Sequence, residues 1–342
     1  MSTDPDIQWN APVEEVLTAR QGSLGRIRLN RPRPINALTL EMIEVIHQAL
    51  RNFGQDESIS AVALDGAGER GLCSGADVRG IREGILSGTQ DPETFFRAEY
   101  ALDQEIAAFA KPVAAFMDGV VMGGGLGLSA HASLRLVTER TKAAMPETGI
   151  GFFPDVGMMY PLSHAPGQVG THMAMTGVSV TGADAIAVGL ADAQIEPAQW
   201  PQICSRLAEG ENPGSAVGST PPSPLMQQRD WIDTCYAGDD PAQVEALLST
   251  HTDPHARAAA DTLRTRSPLS VAVTLAALRR AARLGSVAEV LDQDLHLARA
   301  FMAGSDFLEG VRALLVDKDN SPAWQHSSLA QVDPAQVRAL LN

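Results

Sequence analysis

Val113-Ala114-Ala115-Phe116-Met117-Asp118-Gly119, with Gly123-Gly124-Gly125 and an apolar helical pattern after it, is the second occurrence of a unit that decides the fold. The first is Ala61-Val62-Ala63-Leu64-Asp65-Gly66, which passes through a glycine-rich loop to Cys73-Ser74-Gly75-Ala76-Asp77 and another helical pattern. Each begins with a short apolar run lacking polar alternation, the mark of a strand covered on both faces. Each run stops at Asp-Gly, a turn signal. Two strand–turn–helix units in series predict an α/β core. Leu134-Arg135-Leu136-Val137 and Ala143-Ala144-Met145 add further strands.

On the N-terminal side, Val13 to Val16 and Leu24 to Leu29 read as strands around the turn Gln21-Gly22-Ser23. A loop follows, Asn30-Arg31-Pro32-Arg33-Pro34, and then a helix over about Thr39 to Phe53. Met42, Ile43, Ile46, Ala49, Leu50 and Phe53 recur there at helical spacing, with Thr39 as N-cap. Residues Gly84 to Asp91 read as a loop and Pro92 to Phe109 as a helix striped by Phe95, Phe96, Leu102, Ile106 and Phe109. A Gly-, Pro- and Ser-rich stretch at Glu209 to Pro224 reads as a linker, and the pattern from Pro241 onward is helical. The expected organisation is a core domain over 1–205 and a helical C-terminal region over 206–342.

The chain has 342 residues, 44% of them hydrophobic, and a net charge of -15 from 26 basic and 41 acidic side chains. That charge argues against nucleic acid or an anionic membrane as the main partner, though not against an anionic small ligand held by a few arginines. Cys73, Cys204 and Cys235 are odd in number and lack metal-type spacing, so a reducing cytoplasm is expected. The opening ten residues are acidic and polar, unlike a secretory or transit peptide, and no apolar run approaches the ~20 residues of a membrane span.

Candidate chemistry lies in Met145-Pro146-Glu147-Thr148-Gly149-Ile150-Gly151-Phe152-Phe153-Pro154-Asp155-Val156-Gly157. Prolines keep Glu147 and Asp155 out of helix interiors, and apolar neighbours shift a carboxyl's pKa toward a useful range. A turn with one capping acid and one solvated acid explains the stretch equally well. The two glycine-rich helix starts offer backbone N–H groups at Ala76 and Gly124, a pair able to form an oxyanion hole. Close packing of glycines is the competing account. A dinucleotide site is the weaker reading, because Gly123-x-Gly125 lacks the third glycine at the right spacing and no suitable strand-end acid follows.

Leu29-Asn30-Arg31-Pro32 with Asn36-Ala37-Leu38, Cys73-Ser74-Gly75-Ala76-Asp77, and Asp118-Gly119 with Gly123-Gly124-Gly125 resemble the crotonase (enoyl-CoA hydratase/isomerase) superfamily. Four segments are similar to its branch that hydrolyses 3-hydroxyisobutyryl-CoA: Phe95 to Tyr100, Gly123 to His131, Met145 to Gly157, and Asp306 to Ala313 with Asp317-Lys318-Asp319. The resemblance runs from about residue 13 to 326. It implies a spiral of ββα units with a helical C-terminal region that completes the site or the oligomer. It places the oxyanion donors on Ala76 and Gly124, the catalytic carboxylate on Glu147 and a second acid on Asp155. Glu99, Asp77 and Arg33 fall at substrate-contacting positions, Arg33 near the CoA phosphates. The implied reaction is hydrolysis of a short 3-hydroxyacyl-CoA thioester, 3-hydroxyisobutyryl-CoA foremost, in valine breakdown. CoA is part of the substrate and no cofactor is expected; trimers or hexamers are expected by analogy.

One position separates the branches. Enoyl-CoA hydratases carry a glutamate two residues after the glycine triplet; here it is Gly127, so the hydratase acid pair is incomplete. Hydration or isomerisation of another acyl-CoA is the alternative. His131 reads as a packed core residue, and His164 and His172 lack a metal-like partner set. Cys73 reads as a small buried residue, and Ser74 has no matched His and Asp. Met158-Met159, where relatives commonly have small residues, is expected to narrow the acyl pocket.

Overall fold

The computed structural model describes residues 7–89, 91–211 and 218–342. Residues 212–217 of the expected linker and residues 1–6 of the polar opening lie outside them. The larger sheet has the order β1 (Asn10–Val13), β2 (Val16–Gln21), β3 (Leu24–Leu29), β4 (Ala61–Gly66), β6 (Val113–Met117), β8 (Leu134–Val137) and β11 (Ala193–Gln194). It is antiparallel from β1 to β3 and parallel from β3 to β11. The smaller has the order β10 (Val180–Thr181), β9 (Lys142–Ala144), β7 (Val120–Met122) and β5 (Gly71–Cys73).

The helices in chain order are α1 (Leu40–Gln55), α2 (Val78–Ser87), α3 (Pro92–Ala108), α4 (Gly124–Ala130), α5 (Met159–Ser163), α6 (Val169–Thr176), α7 (Gly182–Ala187) and α8 (Trp200–Ala208). They continue with α9 (Arg229–Cys235), α10 (Pro241–Thr250), α11 (Pro254–Arg264), α12 (Pro268–Ala281), α13 (Val287–Met302), α14 (Asp306–Val311) and α15 (Pro334–Leu341). Twice the chain adds a strand to the large sheet, then one to the small sheet, then a helix: β4-β5-α2 and β6-β7-α4. That is the expected ββα spiral.

Backbone contacts group the chain into two compact units, each of three segments. Unit 1 is 1–77, 98–143 and 180–223; unit 2 is 78–97, 144–179 and 224–342. The units interleave along the chain, whereas the sequence reading divides it once, at 205/206.

Unit 1 contains the parallel strands. β4 is buried from Ala61 through Asp65, as its unbroken apolar run predicts. Leu24, Ala63, Ala114, Leu136, Trp200, Ile203 and Leu207 share one core cluster, and the Phe116 ring stacks on Trp200 at 5.0 Å. Asp65, the next-to-last residue of β4, is 2% exposed. Arg26 donates to it at 2.9 Å, Arg28 at 2.5 and 2.8 Å, and the Trp200 indole N–H at 2.9 Å. Burial alone raises a carboxyl's pKa, but the Arg28 hydrogen bond and the charges of Arg28 and Arg26 outweigh it and hold Asp65 below the usual range. Trp9 lies over the Arg28 guanidinium at 4.7 Å.

α1 begins where its sequence says: the Thr39 hydroxyl accepts from the Met42 N–H, a cap worth about 1 kcal/mol. Two expectations shift. Val13 to Val16 is no strand; Val13 ends β1, Val16 starts β2 and Glu14-Glu15 form the turn between them. Adjacent glutamates would put charge on both faces of a strand, and their carbonyls instead accept from Asn30. Gly84 to Ser87 is helical, the end of α2, because Gly84 is buried on the same face as Ile81 and the Ser87 hydroxyl donates back to the Glu83 carbonyl at 2.7 Å.

Among the described residues no helix is long and apolar enough to cross a membrane, and no three His, Cys, Asp or Glu side chains group as a metal site.

Candidate active site

In unit 1 the structure brings the two glycine-rich helix starts together. Leu38 donates to the Gly75 carbonyl at 2.9 Å, and Asp77 donates to the Leu38 carbonyl at 2.8 Å. In such a parallel bridge the residue between, Ala76, turns its own N–H away from Leu38. Gly75 has φ +99°, and a Cβ there would sit 3.2 Å from the Met122 carbonyl oxygen and 3.5 Å from the Gly124 nitrogen. The loop backbone therefore rests directly against the first residue of α4. Gly123 caps α4 at φ 50°, ψ -125°, a conformation open to glycine, and its carbonyl accepts from Leu126 and Gly127. Gly124, ahead of that bonded turn, keeps an N–H without an intrahelical partner. Gly127 is buried in α4 and presents no side chain.

Glu99, 2% exposed on α3, faces Gly124: a Cβ at 124 would lie 2.2 Å from its Oε1. Cys73 is fully buried, and burial, with the Glu99 charge adding, pushes its thiol up to about 12, so it stays a packed thiol. The Asp77 carboxylate pairs with Arg31 at 2.8 Å. Arg33 is exposed on its loop, with its carbonyl accepting from Arg70. His131 caps the C-terminus of α4, half-buried. The Ser74 hydroxyl donates to the Pro34 carbonyl at 2.9 Å.

Unit 2 holds the two acids. Pro146 breaks the chain after β9, and Glu147 opens a single 3₁₀ turn, Glu147–Ile150, with 8% exposure. Gly151 closes it at φ +72°, donating back to the Glu147 carbonyl. A Cβ on Gly151 would lie 2.3 Å from the Asp306 carbonyl oxygen, so α14 leaves room only for glycine there. The Thr148 carbonyl accepts from the Ser267 N–H, and the Ser267 hydroxyl donates to buried Asp306 at 2.6 Å. Arg266, whose Nε donates to the Thr176 carbonyl at 2.8 Å, lies beside Gly149; burial lowers its pKa.

Between the acids, Phe152 packs among Phe96, Phe153, Phe301 and Phe307 with ring centroids 4.4 to 5.7 Å apart. Each buried phenylalanine contributes about 1.5–3 kcal/mol. These rings anchor the segment that places Asp155, which is 5% exposed. Val156 follows at φ +52°, rare and costly for a β-branched residue, and Gly157 at φ +74°. The Gly157 N–H donates at 2.8 Å to Asp294 of α13. Met158 and Met159 are fully buried, and the Gln293 amide approaches the Met159 sulfur at 3.7 Å.

Sequence reading missed Asp294, which is 0% exposed. Burial, then the charge of Asp155, raises its pKa well above the usual range; the Gly157 hydrogen bond opposes them. Its helix carried the signal. Val290, Leu291, Leu297 and Ala298 stand three or four residues either side of it, so an acid occupies the middle of an apolar stripe. His172, also in unit 2, is buried with Nδ1 2.9 Å from the Tyr236 hydroxyl, and burial lowers its pKa to about 4. His164 lies at the surface, with Nδ1 2.8 Å from the Tyr160 carbonyl.

The sequence model of the enoyl-CoA hydratase/isomerase family matches residues 24–341. The mitochondrial 3-hydroxyisobutyryl-CoA hydrolase of Danio rerio is 37% identical over 332 residues, 93% of this chain and 87% of that protein. The human protein of the same name is 34% identical over 333 residues, 93% of this chain and 86% of its own length. A carnitinyl-CoA dehydratase from Mycobacterium thermoresistibile superimposes with TM-score 0.92 at 43% identity, covering 96% of this chain and 97% of that one. An enoyl-CoA hydratase from Rhodobacter sphaeroides 2.4.1 superimposes with TM-score 0.91 at 37% identity, covering the same shares. On this match and these identities, the chain belongs to the enoyl-CoA hydratase/isomerase family.

Proposed function

We propose that the protein hydrolyses the thioester of a short 3-hydroxyacyl-CoA, with 3-hydroxyisobutyryl-CoA as substrate and 3-hydroxyisobutyrate and CoA as products, in valine breakdown. The observation that carries this reading is the distribution of acids. Glu147 and Asp155 are nearly buried on one braced segment, while α4 offers only Gly127 where hydration would need a second glutamate. The names of the relatives at 34–37% identity support the same chemistry.

In this mechanism the Ala76 and Gly124 N–H groups hold the thioester oxygen as it gains charge, and Glu99 contacts the 3-hydroxyl. Glu147 acts on the carbonyl carbon by one of two routes. It attacks directly, expelling CoA thiolate and leaving an anhydride that water then opens, or it takes a proton from an attacking water. Asp155 serves as the second acid of the site, its ionised carboxylate orienting the water that completes hydrolysis. Asp77 and Arg33 contact the CoA portion. No cofactor is needed, since CoA arrives with the substrate. We further propose a homo-oligomer, a trimer or hexamer, and a cytoplasmic setting in keeping with three buried thiols.

The test is release of free thiol from 3-hydroxyisobutyryl-CoA. Turnover by the wild type, with loss of about 10²–10⁴-fold in Glu147→Gln and retained binding of the CoA ester, supports the proposal. No thiol release above background refutes it. A second reading, hydration of an enoyl-CoA, is favoured by the names of the two superimposed structures. It predicts rapid loss of the conjugated enoyl absorbance without thiol release.

A further inference from the structure

Asp294 is a buried acid that the proposed reaction does not use. It comes from α13, 137 residues beyond the Gly157 N–H that it accepts. That N–H lies in the turn Asp155-Val156-Gly157, where two successive residues hold positive φ, one of them β-branched. Such a turn persists only when its surroundings fix it. The Asp155 carbonyl also accepts from Met158 at 3.0 Å, so the turn is closed from both sides. The second oxygen of Asp294, Oδ1, is buried without a hydrogen-bond partner among the described residues. The charged group whose field reaches it is the Asp155 carboxylate.

The elements packed on α13 include α5, α14 and α15. On α14, Asp306 is held by Ser267 and the Gln325 N–H, and Glu309 by Arg312. Arg338 stands in the last turn of α15.

We propose that Asp294 is a positioning residue for Asp155: its Oδ2 latches the Asp155–Gly157 turn through the Gly157 N–H, and its Oδ1–H donates to the Asp155 carboxylate. The pair shares one proton. Two adjacent carboxylates in a dry site do not both ionise. The proton resides on Asp294 because that side chain is the more completely buried, at 0% against 5% exposure, and burial disfavours charge. Its raised pKa agrees. Asp155 thereby keeps its negative charge and a single orientation. The catalytic consequence rests on the hydrolase reading above; the shared proton does not.

The test has two arms. Infrared difference spectra of wild type minus Asp294→Asn at pH 7 should show a neutral-carboxyl band present only in the wild type. Absence of that band overturns the proposal whatever the protein catalyses. In thiol-release kinetics, Asp294→Leu removes both hydrogen bonds and should lower kcat about 10²-fold with KM little changed, the cost of a misplaced group. Asp294→Asn keeps an acceptor for Gly157 and a donor for Asp155, and should recover roughly tenfold or more of that loss. Equal losses in the two variants, or an unaffected kcat in Asp294→Leu, would also overturn it. If the leucine variant does not fold, the infrared arm decides. If the wild type releases no thiol, the hydrolase reading fails while the infrared arm still judges the shared proton.

Discussion

Replacing Gly124 by alanine tests the centre of the proposed oxyanion hole. The new Cβ would sit 2.2 Å from Glu99 Oε1 and 3.1 Å from Leu38 Cδ1. The first distance is far inside any tolerated contact. Glu99 is 2% exposed and Leu38 fully buried, so neither side chain has solvent to retreat into. Either the carboxylate swings off its place or the start of α4 moves. Overpacking of this kind costs about 1–3 kcal/mol of stability. Alanine gains back up to ~1 kcal/mol over glycine in helix propensity, so the net destabilisation is about 0–3 kcal/mol and the variant folds. Activity should respond more strongly. Losing one oxyanion donor costs about 10²–10³ in rate, or ~3–4 kcal/mol of transition-state binding. The assay is thiol release from the acyl-CoA alongside urea unfolding of the same preparation. Gly124→Ala is expected to lose about two to three decades in kcat with a modest shift in midpoint. A variant as stable and as active as wild type, within threefold, would refute the placement of Glu99 against Gly124 and the donor role built on it.

Three further outcomes are expected. Asp65→Asn leaves Arg26 buried without its counter-charge and should destabilise unit 1 by about 3–5 kcal/mol in urea unfolding. Because the Asp65 pKa is held low in the folded protein, its contribution is present above the unfolded carboxylate range near ~3.9 and is lost as pH falls through the folded value; the variant should lack that part of the acid slope. His172, held near pKa 4 by burial, stays neutral when folded, so the unfolded chain takes up its proton first as pH drops below ~6.5. Stability should therefore fall by up to about 1.4 kcal/mol per pH unit from ~6.5 down to 4, and His172→Gln should flatten that slope in urea midpoints. Gly151→Ala combines positive φ with a Cβ 2.3 Å from the Asp306 carbonyl oxygen, and thermal melts should show a loss of about 2 kcal/mol or more, with Glu147 displaced and turnover reduced.

Much of the fold was legible because its signals are local. An unbroken apolar run forecast the buried β4, and Thr39 three residues before Met42 forecast the start of α1. The glycine-rich helix starts leave two readings open, amide donors or close packing; the structure rests the backbone at Gly75 against Gly124. Boundaries blurred where one residue type serves two roles: Val13 and Val16 read alike as strand, and only pairing shows that a turn separates them. What stayed hidden depends on partners far along the chain. Asp65 looked like a turn residue after a strand; Arg26, Arg28 and Trp200, up to 135 positions away, make it a buried ionic hub. Asp306 was noted only within a motif, yet it braces Ser267 and crowds Gly151. Asp294 was overlooked because acids are common in helices; its apolar neighbours at three and four residues were the available clue.

The interleaving of the two units sets an order of events during synthesis. By the time Ser223 leaves the ribosome, every segment of unit 1 has been made, and 78–97 and 144–179 have emerged as excursions from it. The second excursion carries Glu147 and Asp155, whose braces at Ser267, Asp294 and Asp306 are translated only afterwards. On the proposed mechanism, a nascent chain stalled between 223 and 267 has the Ala76 and Gly124 amides encoded in full while Glu147 and Asp155 still await the residues that brace them. If those acids carry the reaction as proposed, reactivity is the last property the new chain acquires.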